Sequence, residues 1–144
     1  MPTILLQNQT NIGSGSRRHR ILIVDDDADI TLAFKMGLEQ YGFDVDFYNN
    51  PITALSEYRP GRYDLMLVDI RMPLMNGFEL YKEIRTLDPK LKVCFITAFD
   101  INYEDFKAAF PTMALRHFIK KPIEIEKLKE ELKSKIQEDY EIIG

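Results

Sequence analysis

The residues with the clearest chemical potential are three consecutive aspartates, Asp25, Asp26 and Asp27, which directly follow the apolar run of residues 21–24. Two carboxylates about 4 Å apart repel each other by roughly 4 kcal/mol at an effective dielectric constant of about 20. The start of a helix would tolerate them, because aspartates cap free amides and favour the positive end of the helix dipole. A bound cation would tolerate them too. Taken alone, the run favours the helix start.

Three further polar groups follow other apolar runs. Asp69 ends the run "DLMLVD", Thr97 ends "KVCFIT" and is followed by the small Ala98, and Lys121 comes after "RHFIK" and precedes Pro122. Carboxylates are ligands that Mg²⁺ prefers, often at a site shared with a phosphoryl group. A carboxylate can also attack phosphorus and form an aspartyl phosphate, whose oxygens a lysine and a hydroxyl would stabilise. These side chains form one site only if the apolar segments that precede them lie next to each other in the fold and end at the same place.

The apolar runs are typical of strands in a parallel sheet. Three of them are almost continuously apolar, as strands buried on both faces are. They alternate with helical segments, which predicts a doubly wound α/β sheet with helices on both faces and ligands beyond the carboxyl ends of the strands. The five predicted strands are residues 21–25, 44–48, 64–69, 92–97 and 116–120.

The segments between the strands carry apolar residues at helical spacing. Asn50 and Pro51 have the residue types of an N-cap and a first helical position, and Pro89 should end the third helix. Residues 102–110 form a short fourth helix, and the fifth should carry its lysines and glutamates away from the core. The predicted apolar stripes are Ile30, Phe34, Leu38 and Tyr41; Leu80, Ile84 and Leu87; and Ile125, Leu128, Leu132 and Ile136.

Composition indicates a globular protein. The chain has 144 residues, 45% of them hydrophobic and 29% charged, which suits one domain with a proper core. No apolar run could span a membrane or form a signal peptide, so we expect a cytoplasmic protein. The net charge of −4 disfavours direct nucleic-acid binding, and the basic residues 17–20 are interpreted as a solvated tether. The single cysteine, Cys94, should be a small buried hydrophobe.

The division of the chain follows from these patterns. Residues 1–19 are polar, contain "GSGS", and are expected to form a flexible N-terminal tail. Residues 20–138 should form the domain, and residues 139–144 a short C-terminal tail with no output domain after it. His19 and His117 each lack a second ligand at metal spacing, so neither is predicted to bind a metal.

Residues 20–138 resemble the receiver domain of two-component response regulators. The resemblance rests on "ILIVDDDADI", "DLMLVDIRMPLMNGFEL", "VCFITAF" and "FIKKPIEIEKL", which occur in this order with similar spacing. It implies a flavodoxin-like sheet of five parallel strands in the order 2-1-3-4-5. It also implies a protein that takes a phosphoryl group from a sensor histidine kinase or a phosphotransfer protein and acts on a downstream protein. Such a domain catalyses at most its own phosphorylation and dephosphorylation.

The resemblance assigns roles to individual residues. Asp69 corresponds to the phosphoacceptor, and Gly77 to a glycine that permits a tight turn. Asp27 and Asp29 instead belong to the start of the first helix. The Lys121–Pro122 bond is often cis in this family. The remaining implied roles are Mg²⁺ binding by Asp25, Asp26, Asp69 and the backbone carbonyl of Arg71, phosphate binding by Thr97, Ala98 and Lys121, and an aromatic switch at Phe118.

Some positions depart from the common pattern. Arg71 and Phe99 are bulky and lie beside the implied site, so we expect them to slow the loss of the phosphoryl group. Tyr103, Phe106 and Phe110 are either partner contacts or helix core, and the sequence leaves both possibilities open.

Three other functions share part of this sequence pattern. A flavodoxin-like cofactor binder is disfavoured because three aspartates after the first strand would repel a phosphate. An aspartate-nucleophile phosphatase is disfavoured because its general acid–base belongs two residues after the nucleophile, where this chain has Arg71. An interaction module that works without phosphorylation stays open, and it predicts no Mg²⁺-dependent modification by small phosphodonors.

Overall fold

A computed structural model describes residues 17–100, 102–109, 111 and 117–138 of the chain. Within them, five strands alternate with five helices, as the sequence predicts. The elements are β1 (Arg20–Val24), α1 (Ala28–Gln40), β2 (Asp44–Tyr48), α2 (Pro51–Ser56), β3 (Leu65–Asp69), α3 (Gly77–Leu87), β4 (Lys92–Thr97), α4 (Tyr103–Ala109), β5 (Phe118–Lys120) and α5 (Ile125–Gln137).

The five strands form one parallel sheet in the order β2-β1-β3-β4-β5, which confirms the predicted fold class. Every residue of the central strand β3 is buried, because helices cover both faces of the sheet. β1 starts one residue earlier than predicted and ends before Asp25. β5 is shorter than predicted, and the predicted strand residue Arg116 lies outside the described residues.

The core consists of two layers, one on each face of the sheet. On one face, α2, α3 and α4 contribute Ala54, Leu80 and Phe106 to a cluster with alternate strand residues. On the other face, α1 and α5 contribute Leu38 and Leu128 to a second cluster. Cys94 lies fully buried in this second cluster, as predicted.

The predicted helix starts are confirmed by their caps. The Asp27 carboxylate accepts hydrogen bonds from the amides that open α1, and Asn50 does the same for α2, with Pro51 as its first residue. A reciprocal pair, Asn76 and Glu79, caps α3. Each cap satisfies amide groups that have no partner within the helix.

Two predicted positions on the apolar stripes are wrong, and so is the predicted exposure of one lysine. Tyr41 and Leu87 are exposed, because Tyr41 is the residue that ends α1 and Leu87 is the last residue of α3, both at helix termini. Lys135 is buried on α5 although lysines were placed on the solvent face. Its ammonium lies 3.5 Å from the Glu131 carboxylate, so its stem can cover apolar surface while its charge stays paired.

The basic residues before β1 are attached to the domain. Arg17 donates two hydrogen bonds to the Asp64 carboxylate, at 2.7 and 3.1 Å, and Arg18 lies 3.5 Å from Asp44. Both side chains remain largely exposed, which agrees with the predicted solvated tether, although each also pairs with an aspartate of the domain. The predicted tails reach into residues 1–16 and 139–144, which lie outside the described residues. Within the described part of the chain, no helix combines the length and apolar character needed to cross a bilayer.

Candidate functional site at the carboxyl edge of the sheet

Three aspartates meet where β1 and β3 end. These strands are neighbours, with Val24 opposite Val68, so the residues that follow them come together. Asp25 and Asp69 are buried, and Asp26 is exposed. One carboxylate oxygen from each of the three lies within 4.8 Å of the others.

Hydrogen bonds distinguish the roles of the three consecutive aspartates. One oxygen of Asp25 accepts the Asp27 amide at 2.9 Å, and the other accepts the Lys121 ammonium at 2.8 Å. Lys121 also lies 3.8 Å from a carboxylate oxygen of Asp69. The Asp27 side chain points instead to the first amides of α1. The structure thus brings Asp25, Asp26 and Asp69 together and leaves Asp27 as a helix cap.

The site carries more negative than positive charge. Burial, and after it the neighbouring Asp25 carboxylate, raise the pKa of Asp69 to about 6. The positive charge of Lys121 and a hydrogen bond from the Arg71 backbone amide lower the pKa of Asp69 and offset part of this increase. Two of the three carboxylates, those of Asp25 and Asp69, lie within ion-pair distance of the Lys121 ammonium, and both are buried.

These side chains fit a divalent cation. Their donors are carboxylate oxygens, the ligands that Mg²⁺ prefers, and Mg²⁺ commonly binds through one or two carboxylates and retains waters. The excess of buried negative charge is costly without a counterion. Among the described residues, Asp25, Asp26 and Asp69 are the acidic side chains whose carboxylate oxygens lie close enough together to bind one metal ion.

β4 and the residues after β5 bring two more predicted groups to the same edge. Asp69 pairs with Ile96, so the buried Thr97 lies one residue beyond the end of β3. The hydroxyl oxygen of Thr97 accepts the Phe99 amide at 3.1 Å, and the Thr97 carbonyl accepts the Lys121 amide at 2.8 Å. Ala98 follows and is exposed. The Lys121–Pro122 peptide bond is cis.

Gly77 meets a steric requirement at the same edge of the sheet. It does not adopt a positive φ; among the described glycines, Gly42 and Gly61 do. Gly77 opens α3 and donates its amide to the Ile70 carbonyl at 2.9 Å. A Cβ atom at this position would lie 2.4 Å from the carbonyl oxygen of Asp69. The glycine therefore permits close contact between α3 and the backbone of the phosphoacceptor candidate.

Arg71 and Phe99 stack on each other beside the acidic cluster. The guanidinium carbon of Arg71 lies 4.3 Å from the centroid of the Phe99 ring, a cation–π geometry. Both side chains are exposed, and both line a crevice of about 140 Å³ that also reaches Thr97 and Phe78. Their predicted position next to the site is confirmed, while their effect on phosphoryl lifetime stays a prediction.

Phe118 packs into an aromatic cluster next to the site. Its ring centroid lies 4.5 Å from that of Phe106, 5.4 Å from that of Phe95 and 6.2 Å from that of Phe78. Phe106 is fully buried, so it belongs to the core rather than to a partner surface. The side chain of Tyr103 and the whole of Phe110 lie outside the described residues.

Sequence reasoning missed two residues near the site. Asn49, directly after β2, donates its amide to the Asp25 carbonyl at 2.8 Å and to the Thr31 hydroxyl at 2.9 Å. Its signal in the sequence is a polar residue at the carboxyl end of β2, the same edge of the sheet to which the other four strands bring polar groups. Leu74, in the loop before α3, has a φ of 76° and is 77% exposed, which no sequence signal indicated.

Comparison with known proteins agrees with this geometry. A family model described as the response regulator receiver domain matches residues 21–133. The transcriptional regulatory protein ZraR of Klebsiella oxytoca is 37% identical over 108 residues, which is 75% of this chain and 24% of ZraR. This chain therefore spans about a quarter of the length of that relative.

Two solved structures extend the comparison. The non-phosphorylated HemR receiver domain from Leptospira biflexa is 30% identical, with a TM-score of 0.74 over 85% of this chain and 98% of that one. The response regulator TrrA from Thermotoga maritima, solved in complex with Mg²⁺ and BeF, is 29% identical. Its TM-score is 0.64, over 81% of this chain and 97% of that one.

Proposed function

Because the chain belongs to the family of response regulator receiver domains of two-component systems, we propose that it accepts a phosphoryl group on Asp69. The donor is a sensor histidine kinase or a phosphotransfer protein. The observation that carries this proposal is the position of Asp69, which is buried at the end of β3 near the Asp25 carboxylate and 3.8 Å from the Lys121 ammonium. A carboxylate held beside a cation in a partly enclosed site suits attack on phosphorus.

The chemical step uses the carboxylate of Asp69 as the nucleophile. One of its oxygens forms a bond to the phosphorus atom of a phosphohistidine while the phosphorus–nitrogen bond breaks. The imidazole leaves with the bonding electron pair and takes a proton from solvent. With acetyl phosphate, the phosphorus–oxygen bond breaks instead and acetate leaves. The product in both cases is an aspartyl phosphate on Asp69.

Lys121 and Thr97 are the groups that respond to the new charge. A phosphoryl group adds negative charge and strong acceptor oxygens next to Lys121, whose ammonium is already 3.8 Å from Asp69. The hydroxyl oxygen of Thr97 accepts the Phe99 amide, so its own hydrogen remains available to donate to a phosphoryl oxygen. Ala98 next to it is small enough to leave that approach open.

The metal ligands of this proposal are Asp25, Asp26, Asp69 and the backbone carbonyl of Arg71. Bound Mg²⁺ would offset the repulsion among the carboxylates and neutralise charge on the phosphoryl oxygens. Asp25 keeps its side chain oriented through the Asp27 amide, and Asn49 fixes the Asp25 backbone from the other side. The complex of TrrA with Mg²⁺ and BeF supports this assignment.

Phosphorylation would act on a downstream protein through a shift between two arrangements of the same fold. Phe118 already packs against Phe106 of α4 and Phe95 of β4. We propose that movement of Thr97 toward the phosphoryl group stabilises one packing of this aromatic cluster and thereby changes the surface of α4 and β5. Beyond its own phosphorylation and dephosphorylation, we propose no catalytic activity.

The test is treatment with acetyl phosphate or beryllofluoride, with and without Mg²⁺, followed by ¹H–¹⁵N NMR and intact-mass measurement. Wild type should gain one phosphoryl group only with Mg²⁺, and Asp69→Asn should gain none. Asp27→Asn is the matched control, because asparagine also caps a helix and this side chain faces away from the site. A wild-type protein with no Mg²⁺-dependent response would refute the proposal and favour a phosphorylation-independent interaction module.

A further inference from the structure

A groove of about 700 Å³ runs along the outer edge of β2, away from the acidic cluster. Its floor is formed by residues 45–48 of the strand. Lys35 of α1 forms one wall, and Tyr58, Arg59 and Tyr63, which follow α2, form the other. We refer to it as the β2 groove.

The β2 groove exposes an edge strand with unused backbone groups. Within the part of the chain that the structure describes, β2 is the end strand of the sheet and pairs with β1 alone. Its Asp44 amide and Tyr48 carbonyl bond to the chain on the β1 side, at 2.9 and 3.2 Å. Because pairing alternates along a parallel strand, Val45 and Phe47 direct their backbone groups outward. Lys35 donates to the Val45 carbonyl at 2.8 Å, which agrees with this orientation and leaves the groups of Phe47 for another strand.

Both faces of this edge carry apolar surface. The side chains of Val45 and Phe47 belong to the core cluster beneath α1 and α5. Tyr48 and Tyr63 pack against the core cluster on the opposite face and are only partly buried. An added strand that is apolar on both of its faces would therefore extend both core layers. Unpaired edges of this kind readily accept another extended segment.

The chain itself supplies such a segment next to the groove. Sixteen residues precede Arg17, and the described chain begins beside the start of β2: the His19 carbonyl accepts the Asp44 amide, and Arg18 lies 3.5 Å from Asp44. Residues 3–12 read "TILLQNQTNI", with no charged side chain and an apolar run of three. In an extended strand, Ile4 and Leu6 would share one face and Leu5 would take the other.

The spacing of the chain permits the connection. Residues 13–16, "GSGS", can span about 13 Å when extended. A strand outside β2 lies about 10 Å from β1, because neighbouring strands are about 4.8 Å apart. Residues 13–16 are therefore long enough to cross from the β1 side to the outer side of β2, passing before the first residue of β2. The added strand would then run antiparallel to β2.

We propose that residues 3–12 dock in the β2 groove as a sixth, antiparallel strand, bonded to the outward backbone groups of Phe47 and packed against the aromatic side chains of the groove. This strand closes the exposed edge of the sheet within one chain, in place of the free tail that composition alone suggested. It does not depend on phosphorylation, so an Asp69→Asn protein should show it unchanged.

The test is amide hydrogen exchange of the full chain, measured by NMR, with a Leu5→Asp/Leu6→Asp variant. The Phe47 amide should exchange at least tenfold faster in this variant than in wild type, because a docked strand shields it from water. The Val24 amide in the sheet interior should exchange equally in both proteins. Leu87→Asp, at an exposed position on α3, is the matched control and should leave Phe47 exchange unchanged.

A second measurement separates this segment from other occupants. A synthetic peptide of sequence TILLQNQTNI, added to the Leu5→Asp/Leu6→Asp variant, should restore slow exchange at Phe47. Equal Phe47 exchange in wild type and variant would overturn the proposal. Protection that grows with protein concentration would also overturn it, because a second copy of the chain would then cover the edge.

Discussion

Replacing Gly77 with alanine tests how closely α3 is held against the end of β3. The new Cβ atom would lie 2.4 Å from the Asp69 carbonyl oxygen and 3.1 Å from the Cα atom of Ile70. Carbon–oxygen contacts are normally no shorter than about 3.3 Å, and both neighbours are backbone atoms that no rotamer change can move. The start of α3 must therefore shift by about 1 Å, which lengthens the hydrogen bond from the Gly77 amide to Ile70.

The expected loss of stability follows from these contacts. Overpacking typically costs about 1–3 kcal/mol, and a weakened buried hydrogen bond costs about 1 kcal/mol more. Alanine recovers up to about 1 kcal/mol through its better helix propensity. We therefore expect the free energy of unfolding to fall by about 1–3 kcal/mol, measured by urea denaturation. The phosphorylation rate of the folded protein should fall tenfold or more, on the order expected when a reacting group is misplaced by about 1 Å.

Two other glycines are matched controls. Gly61 has a φ of +82°, and a Cβ atom there would meet nothing within 4 Å, so Gly61→Ala should cost about 1 kcal/mol of backbone strain. Gly37→Ala would meet only side-chain atoms of Ile125, at 2.5 Å and beyond, which can move in part. Both variants should lose stability yet keep wild-type phosphorylation by acetyl phosphate. A Gly77→Ala protein with wild-type stability and rate would refute the reasoning.

Other predictions concern the metal, the phosphoryl lifetime and acid stability. Mg²⁺ at about 100 times its Kd should stabilise the fold by about 2.7 kcal/mol, seen as a higher Tm, and Asp26→Asn should lose most of this gain. Arg71→Ala and Phe99→Ala should each shorten the phosphoryl half-life several-fold, because each removes half of the stack beside the site; unchanged half-lives would contradict this. Burial alone would raise the pKa of Asp64, but hydrogen bonds led by that from Arg17 lower it. Asp64→Asn should therefore cost about 1 kcal/mol near neutral pH. The difference should vanish in urea titrations as pH falls below the unfolded value of about 3.9 and through the lowered folded pKa of Asp64.

Much of the fold was predictable because the strands of a buried parallel sheet appear in the sequence as nearly continuous apolar segments. A strand buried on both faces must be apolar throughout, and β3 is buried at every position. The site was predictable for a related reason: parallel strands end at one edge, so Asp25, Asp69 and Thr97 converge without any knowledge of the helices. Sequence could therefore place these three side chains near each other, although not assign their hydrogen bonds.

The parts that sequence missed depend on contacts between elements. Lys135 is buried because Glu131 lies one turn away and pairs with it, which a helical stripe of apolar residues does not reveal. Gly77 is required by the Asp69 carbonyl, an atom eight residues away that approaches only after α3 docks. Asn49 stabilises the site from β2, and its role becomes visible only when the strand order places β2 next to β1.

Charge balance links the acidic cluster to the aromatic cluster. Lys121 is shared between Asp25 and Asp69, so it cannot satisfy both fully. A phosphoryl group on Asp69 would add roughly one to two negative charges and shift that competition toward Asp69. The Lys121 amide bonds to the Thr97 carbonyl at 2.8 Å, and Phe118 lies three residues before Lys121 on β5. A change in the position of Lys121 would therefore reach β4 through this hydrogen bond and the Phe118 ring through three residues of continuous backbone.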